Sequence, residues 1–208
     1  MYTPPFNRVD DEQELRALVA ACRTGWLVTT GADGAPQATF LPVLWRDDTV
    51  VAHLARANRH WRDITDGTPA LVVCTGPDAY VSPSWYAAKA EHGRVVPTWN
   101  YSAVQLTGTL RVHTDPAWLL EAVTDLTQAH ESGRTDPWQV ADAPEEYVAG
   151  QLRGIVGLEL TVTGVTGKAK LSQNRSAADR RGVVAGLRAE PFARAGEVAD
   201  QMDPFSPG

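Results

Sequence analysis

The sequence predicts an α+β protein: a mainly antiparallel sheet or barrel with decorating helices. Three observations predict it. At least six short segments are apolar or alternate apolar with polar residues; most are joined by short turns rich in Gly, Pro and Asp; and only a few stretches carry helical spacing.

Taken in order, Asp10 followed by Gln13 has the form of a capping box, and Leu15, Leu18, Val19 and Cys22 recur at helical spacing, with Gly25 placed to stop the helix. WLVTT is a strand, Asp33-Gly34 marks the following turn, and ATFLPVLW and TVVAHLA are the next two strands. RHWRDITDG reads as a short helix closed by Gly67. PALVVCTG is a fourth strand, apolar enough to be buried on both faces, and DAYVSPSWY begins a fifth that Pro83 ends. AKAEHGRVVPTWNY is irregular, and such a segment inside a compact domain is either functional or disordered. SAVQLTGTLRVH returns to strand, Asp115-Pro116 opens a helix, PEEYVAGQLRGI starts another, and IVGLELTVTGVTG is a long alternating strand. A helix is expected from Ser176 to Leu187.

With 208 residues, 43% hydrophobic and 21% charged, the chain is long enough to bury a core without disulfide or metal staples. A single domain is expected over residues 1–187, followed by a flexible tail over 188–208. Cys22 and Cys74 lack metal-ligand spacing and read as small apolar residues. No basic-then-apolar leader and no bilayer-length apolar run is present, so a cytoplasmic protein without a membrane partner is expected. A net charge of −6 gives no general attraction to nucleic acid, and direct DNA binding is not expected. GxGxxG, GxxxxGK[ST], GxSxG and HExxH are all missing.

The densest candidate chemistry is HLARANRHWRD, residues 53–63. Arg56, Asn58, Arg59 and Arg62 follow a strand and enter a helical turn, a place suited to a flavin phosphate, a haem propionate or a substrate carboxylate. The alternative is a solvated polar face. His53 and His60 are each either a metal or haem ligand or an ordinary structural histidine. Trp85, Tyr86, Trp99 and Tyr101 flank the irregular segment, with Lys89, Glu91, His92 and Arg94 between them; they either sandwich a planar ring or anchor a loop. KAKLSQNR, carrying Lys168, Lys170 and Arg175, is a second candidate anion site, or a subunit contact, or a polar turn.

Together MYTPPF, HLARANRHWRD, the pair GPDAYVSPSWY and KAEHGRVVPTWNY, and GKAKLSQNR resemble the PaiB-like family over residues 1–187. The resemblance implies the split β-barrel shared with pyridoxamine-phosphate oxidases and FMN-binding flavin reductases. It also implies a homodimer with the cofactor at the subunit interface. Two functions lie within it: FMN-binding negative transcriptional regulation, and haem-dependent piperazate synthesis, in which N5-hydroxyornithine closes through a new N–N bond. That closure is redox-neutral: the α-amine attacks the side-chain nitrogen, the N–O bond breaks and water leaves. The enzyme is the preferred expectation, with heme b as cofactor and a hydroxylated ornithine-like amino acid as substrate; the FMN regulator is the alternative. His60 is then the axial iron ligand, beside Trp61, with His53 second. Arg56, Arg59 and Lys170 meet propionates or the substrate carboxylate, and Tyr101 or Glu91 takes the amine proton. With FMN, Arg56, Asn58 and Arg59 hold the phosphate and Trp99 or Tyr101 lies near the ring. The regulators carry a histidine followed by an aromatic where this chain has Gln105, Leu106 and Thr107, a departure from the regulator pattern.

Overall fold

The computed structural model describes residues 1–203. In chain order the elements are β1 (Arg8–Val9), α1 (Glu12–Cys22), β2 (Thr24–Thr30), β3 (Pro36–Arg46), β4 (Thr49–Ala55), β5 (Thr68–Val81), α2 (Ala88–His92), β6 (Thr98–His113), α3 (Pro116–Glu131), α4 (Glu145–Leu152), β7 (Ile155–Lys170), α5 (Ala177–Ala189) and α6 (Ala193–Met202). Strand order is β1-β7-β4-β3-β2-β5-β6, and β6 also pairs with β7, so the pairings close into a ring. β2 runs antiparallel to β3 and β5, β4 to β3 and β7, and β1 to β7. By its contacts the chain forms two compact units. Among the described residues the first holds Met1–Leu18, Thr75–Val104 and 166–203; the second holds Val19–Cys74 and Gln105–Val165.

In the second unit the period-2 alternation sends Leu27, Leu41, Val50, Ala52, Val72, Leu110, Leu158 and Leu160 to one side, where they leave a cavity of only about 10 Å³. That is no more than the smallest space a water needs. The opposite side of the same strands is also apolar, and it is open. Trp26 faces Phe40 and Val73 across the ladders, Val28 faces Ala38 and Leu71, and the Trp26 and Phe40 rings lie 5.2 Å apart. β5 therefore alternates, with Ala70, Val72 and Cys74 buried and Leu71 and Val73 half-buried, which corrects the expectation of burial on both faces. Asp115 caps α3 by accepting from the Trp118 backbone N–H at 2.9 Å, with Pro116 in the first turn. α3 then sets Trp118 and Leu119 over Gly157, where a Cβ would overlap the indole.

In the first unit Ser176 caps α5 (Asp179 N–H to Oγ, 3.1 Å), and α5 lies against Trp85 through Gly182 and Gly186. α6 buries Ala195, Val198, Ala199 and Met202, an i, i+3, i+4, i+7 stripe. Residues 193–202 are thus a packed helix, which corrects the expected flexible tail at those positions; 204–208 lie outside the described residues.

Other differences are local. Asp11, not Asp10, accepts from the Glu14 N–H (2.8 Å) at the start of α1, because Asp10 is held by Arg8. Arg23, at φ 60°, turns the chain after α1, and Gly25 sits within β2, packed close to the Cys74 sulfur. The expected helix around His60 is only a 3-10 turn, Arg59–Asp63, and the two strands expected before Pro83 are one. Among the described residues no helix is long and apolar enough to cross a membrane.

Candidate functional site

In the second unit the loop after β4 is folded around one imidazole. Asn58 caps the 3-10 turn, accepting from the His60 N–H at 3.0 Å, and its side-chain amide donates to Thr39 Oγ1 at 3.3 Å. The buried His60 ring is held at both nitrogens: Nε2 lies 2.7 Å from Thr29 Oγ1 on β2, and Nδ1 lies 2.7 Å from Thr39 Oγ1 on β3. Burial pushes its pKa down, against the opposing pull of Asp63, so the ring is neutral, a donor at one nitrogen and an acceptor at the other. An iron ligand needs one free lone pair. With both nitrogens hydrogen-bonded, the axial-ligand role expected of His60 requires one of the two threonines to let go.

The arginines also differ from expectation. Arg56 donates from Nε to the Arg153 carbonyl (2.9 Å) and from Nη2 to the Ile155 carbonyl (3.2 Å), so its guanidinium caps the turn between α4 and β7. Trp61 Nε1 donates to the Arg56 carbonyl (3.0 Å) and closes the loop on itself. Arg59 and Arg62 are exposed without a hydrogen bond or ion pair among the described residues, and Arg62 lies 5.8 Å from the centre of the Trp61 ring. His53 is half-buried on β4, its pKa lowered by burial, and its Nδ1 is buried without a hydrogen-bond partner among the described residues. No three His, Cys, Asp or Glu among the described residues gather as a metal site.

The first unit carries the stronger electrostatic feature. β7 runs on through Lys170, so Lys168 and Lys170 project from the same side of one strand rather than from a connecting turn. Lys168 is only 8% exposed; its ammonium donates to the Tyr2 carbonyl (3.1 Å) and lies 5.1 Å from the centre of the Tyr101 ring. Lys170 donates to Thr98 Oγ1 and to the Trp99 carbonyl (2.9 Å). Burial lowers its pKa first, with Tyr101 opposing and the charges of Lys168 and Arg175 adding to the fall. Arg175 lies 4.6 Å from the centre of the buried Tyr86 ring. Among the described residues none of these three cations has a carboxylate partner. One buried and two half-buried cations without a carboxylate partner make a place suited to an anion.

Of the residues singled out from the sequence, the structure gathers Arg56, Asn58, His60 and Trp61 in the second unit, and Trp99, Tyr101 and Lys170 in the first. Glu91 is exposed on α2 with no hydrogen bond or ion pair among the described residues. Sequence reasoning overlooked Thr29 and Thr39, which only strand register brings to His60. It grouped Lys168, Lys170 and Arg175 as one candidate anion site but put them in the connection between a strand and a helix; the i, i+2 spacing of the two lysines was the signal for a strand.

The family described as "Putative FMN-binding domain" matches residues 1–164. Protease synthase and sporulation protein PAI 2 of Bacillus subtilis (strain 168) is 32% identical over 207 residues, covering 98% of this chain and 97% of that protein. An uncharacterised Aspergillus fumigatus protein is 35% identical over 156 residues, 67% of this chain and 59% of its own length. Among solved structures, the FAD and heme binding protein from Mycobacterium smegmatis superposes with a TM-score of 0.60 over 79% of this chain and 73% of that one, at 19% identity. A conserved hypothetical protein from Mycobacterium tuberculosis reaches 0.61 over 85% of this chain and 94% of that one, at 15% identity. At such low identities these two structures bear on the fold alone, the antiparallel split barrel.

Proposed function

The chain belongs to the PaiB-like family of putative FMN-binding domains, and from that premise we propose that it binds a flat, anionic cofactor, FMN first, with the phosphate on Lys168 and Lys170. The observation that carries this reading is the pair of strand-borne lysines, joined by Arg175 and free of carboxylates. They suit a phosphate, which accepts several charge-assisted hydrogen bonds. Trp99 and Tyr101 share the alternating side of β6 and supply aromatic surface for the ring. FMN, when bound, supplies hydride and electron chemistry; the lysines and aromatics hold and orient it.

The haem reading keeps a second place on one observation: burial holds His60 and His53 neutral, as an imidazole ligand must be. It requires Thr29 or Thr39 to release His60, the other hydroxyl then orienting the ring. The chemistry proposed there is closure of a hydroxylated ornithine-like amino acid, in which the α-amine attacks the side-chain nitrogen, the N–O bond breaks and water leaves.

A homodimer fits the open apolar face of β2, β3 and β5, where Trp26 and Phe40 are 47% and 56% exposed. The test is an absorption spectrum of the purified protein followed by separate FMN and haemin titrations. FMN is expected to bind, and Lys168→Met with Lys170→Met to abolish binding. A haemin Soret band lost in His60→Ala, with no FMN binding, overturns the flavin reading in favour of the haem one.

A further inference from the structure

The first unit holds a second concave site, which shares Trp99 with the cofactor reading and is otherwise lined by residues that reading does not use. A groove of about 680 Å³ opens between β5, β6 and the connection from α5 to α6. That volume suits a small organic ligand. Three aromatic side chains wall it: Tyr80, Trp99 and Phe192, exposed by 46%, 53% and 68%. Tyr80 and Trp99 meet edge to face, their centroids 6.1 Å apart at 72°, so two differently oriented rings border one space. Solvent-facing aromatics in such number are unusual unless they meet a partner.

The polar groups of the groove fix the sign of that partner. Asp78, Glu190 and Arg194 line it. Arg194 is committed: Nη1 pairs with Asp78 at 3.0 Å, and Nη2 donates to the Gly76 carbonyl at 3.4 Å. The two charges of that pair cancel. Glu190 has no hydrogen bond or ion pair from its side chain among the described residues, so the groove keeps one uncompensated carboxylate. The faces of its three rings add negative electrostatic potential of their own. Where Lys168, Lys170 and Arg175 call for an anion, this groove calls for a cation.

We propose that the groove binds an organic ammonium ion, alkylated at nitrogen, between Tyr80, Trp99 and Phe192, with Glu190 as its counter-charge. Aromatic walls favour a diffuse, weakly hydrated cation over a bare metal ion, because alkyl groups gain contact with the rings while the charge meets their faces. The proposal does not depend on which cofactor the protein binds.

The probes are choline and its neutral carbon analogue, in which carbon replaces the quaternary nitrogen, titrated calorimetrically into the full chain without added cofactor. Choline is expected to bind, and the neutral analogue to bind at least about fivefold more weakly. Glu190→Gln is expected to weaken choline about threefold, the scale of an exposed ion pair. Trp99→Leu is expected to weaken it about fivefold, with circular dichroism confirming that each variant is folded. Equal binding of both probes, choline binding untouched by both variants, or no choline binding at tens of millimolar overturns the proposal. FMN titration of Glu190→Gln separates the two readings: failure of FMN to bind while choline binds removes the flavin and leaves the ammonium groove standing.

Discussion

Replacing Thr29 by valine keeps the shape of the side chain and removes only its hydroxyl. Thr29 is 4% exposed, so no water can take the place of the Oγ1 that lies 2.7 Å from His60 Nε2. The variant loses one net hydrogen bond, about 1 kcal/mol, and leaves a buried ring nitrogen unsatisfied, a cost of about 1–3 kcal/mol in all. We expect destabilisation of about 2 kcal/mol, read as a lower urea midpoint with unchanged slope. Thr39→Val removes the partner of His60 Nδ1 and the acceptor of Asn58, yet Thr39 is half-buried and water can reach it. Its cost should be the smaller, about 1 kcal/mol. The order of the two is as informative as their size. A Thr29→Val protein within about 0.3 kcal/mol of the parent, or one less affected than Thr39→Val, refutes the clamp.

Three further outcomes are expected. Burial lowers the folded pKa of both His60 and His53 below the ordinary histidine value of about 6.5, so the unfolded chain takes up protons first as pH falls. Their contribution is complete above about pH 6.5 and is lost as pH falls toward the folded values; urea midpoints should drop across that window, and less steeply in His60→Gln. Gly186→Ala drives a Cβ into the Trp85 indole and should cost about 1–3 kcal/mol, whereas Gly196→Ala on α6 meets nothing within 4 Å and should stabilise by about 0.5–1 kcal/mol, both measured by thermal unfolding. Phe40→Glu places a charge on the apolar face of β2 and β3 and should yield a monomer in sedimentation velocity; a dimer that persists places the interface elsewhere.

Strands were legible in the sequence because alternation is a local property. SAVQLTGTLRVH shows it within a single window, and the capped entry to α3 at Asp115-Pro116 is just as local. What pairing decides was not legible. Nothing local says that Thr29 and Thr39 converge on His60, since the three residues come from β2, β3 and the loop after β4. The guanidinium of Arg56 looked free because its acceptors, the carbonyls of Arg153 and Ile155, lie about a hundred residues downstream. α6 was hidden by composition. Its buried stripe consists of alanines, a valine and a methionine in a stretch rich in Ala and charged residues, and small side chains give a weak periodic signal while packing closely.

The barrel interior bears on how the protein can be handled as well as on how it folds. Eight aliphatic side chains fill it almost to the last ångström, so the hydrophobic core is complete before any ligand arrives. A cofactor held by the lysines proposed above would therefore take no part in filling this interior. Its departure leaves no void to collapse, and its arrival shifts the unfolding midpoint only by mass action, in proportion to the logarithm of its concentration. On that reading the chain could be emptied and refilled without being rebuilt.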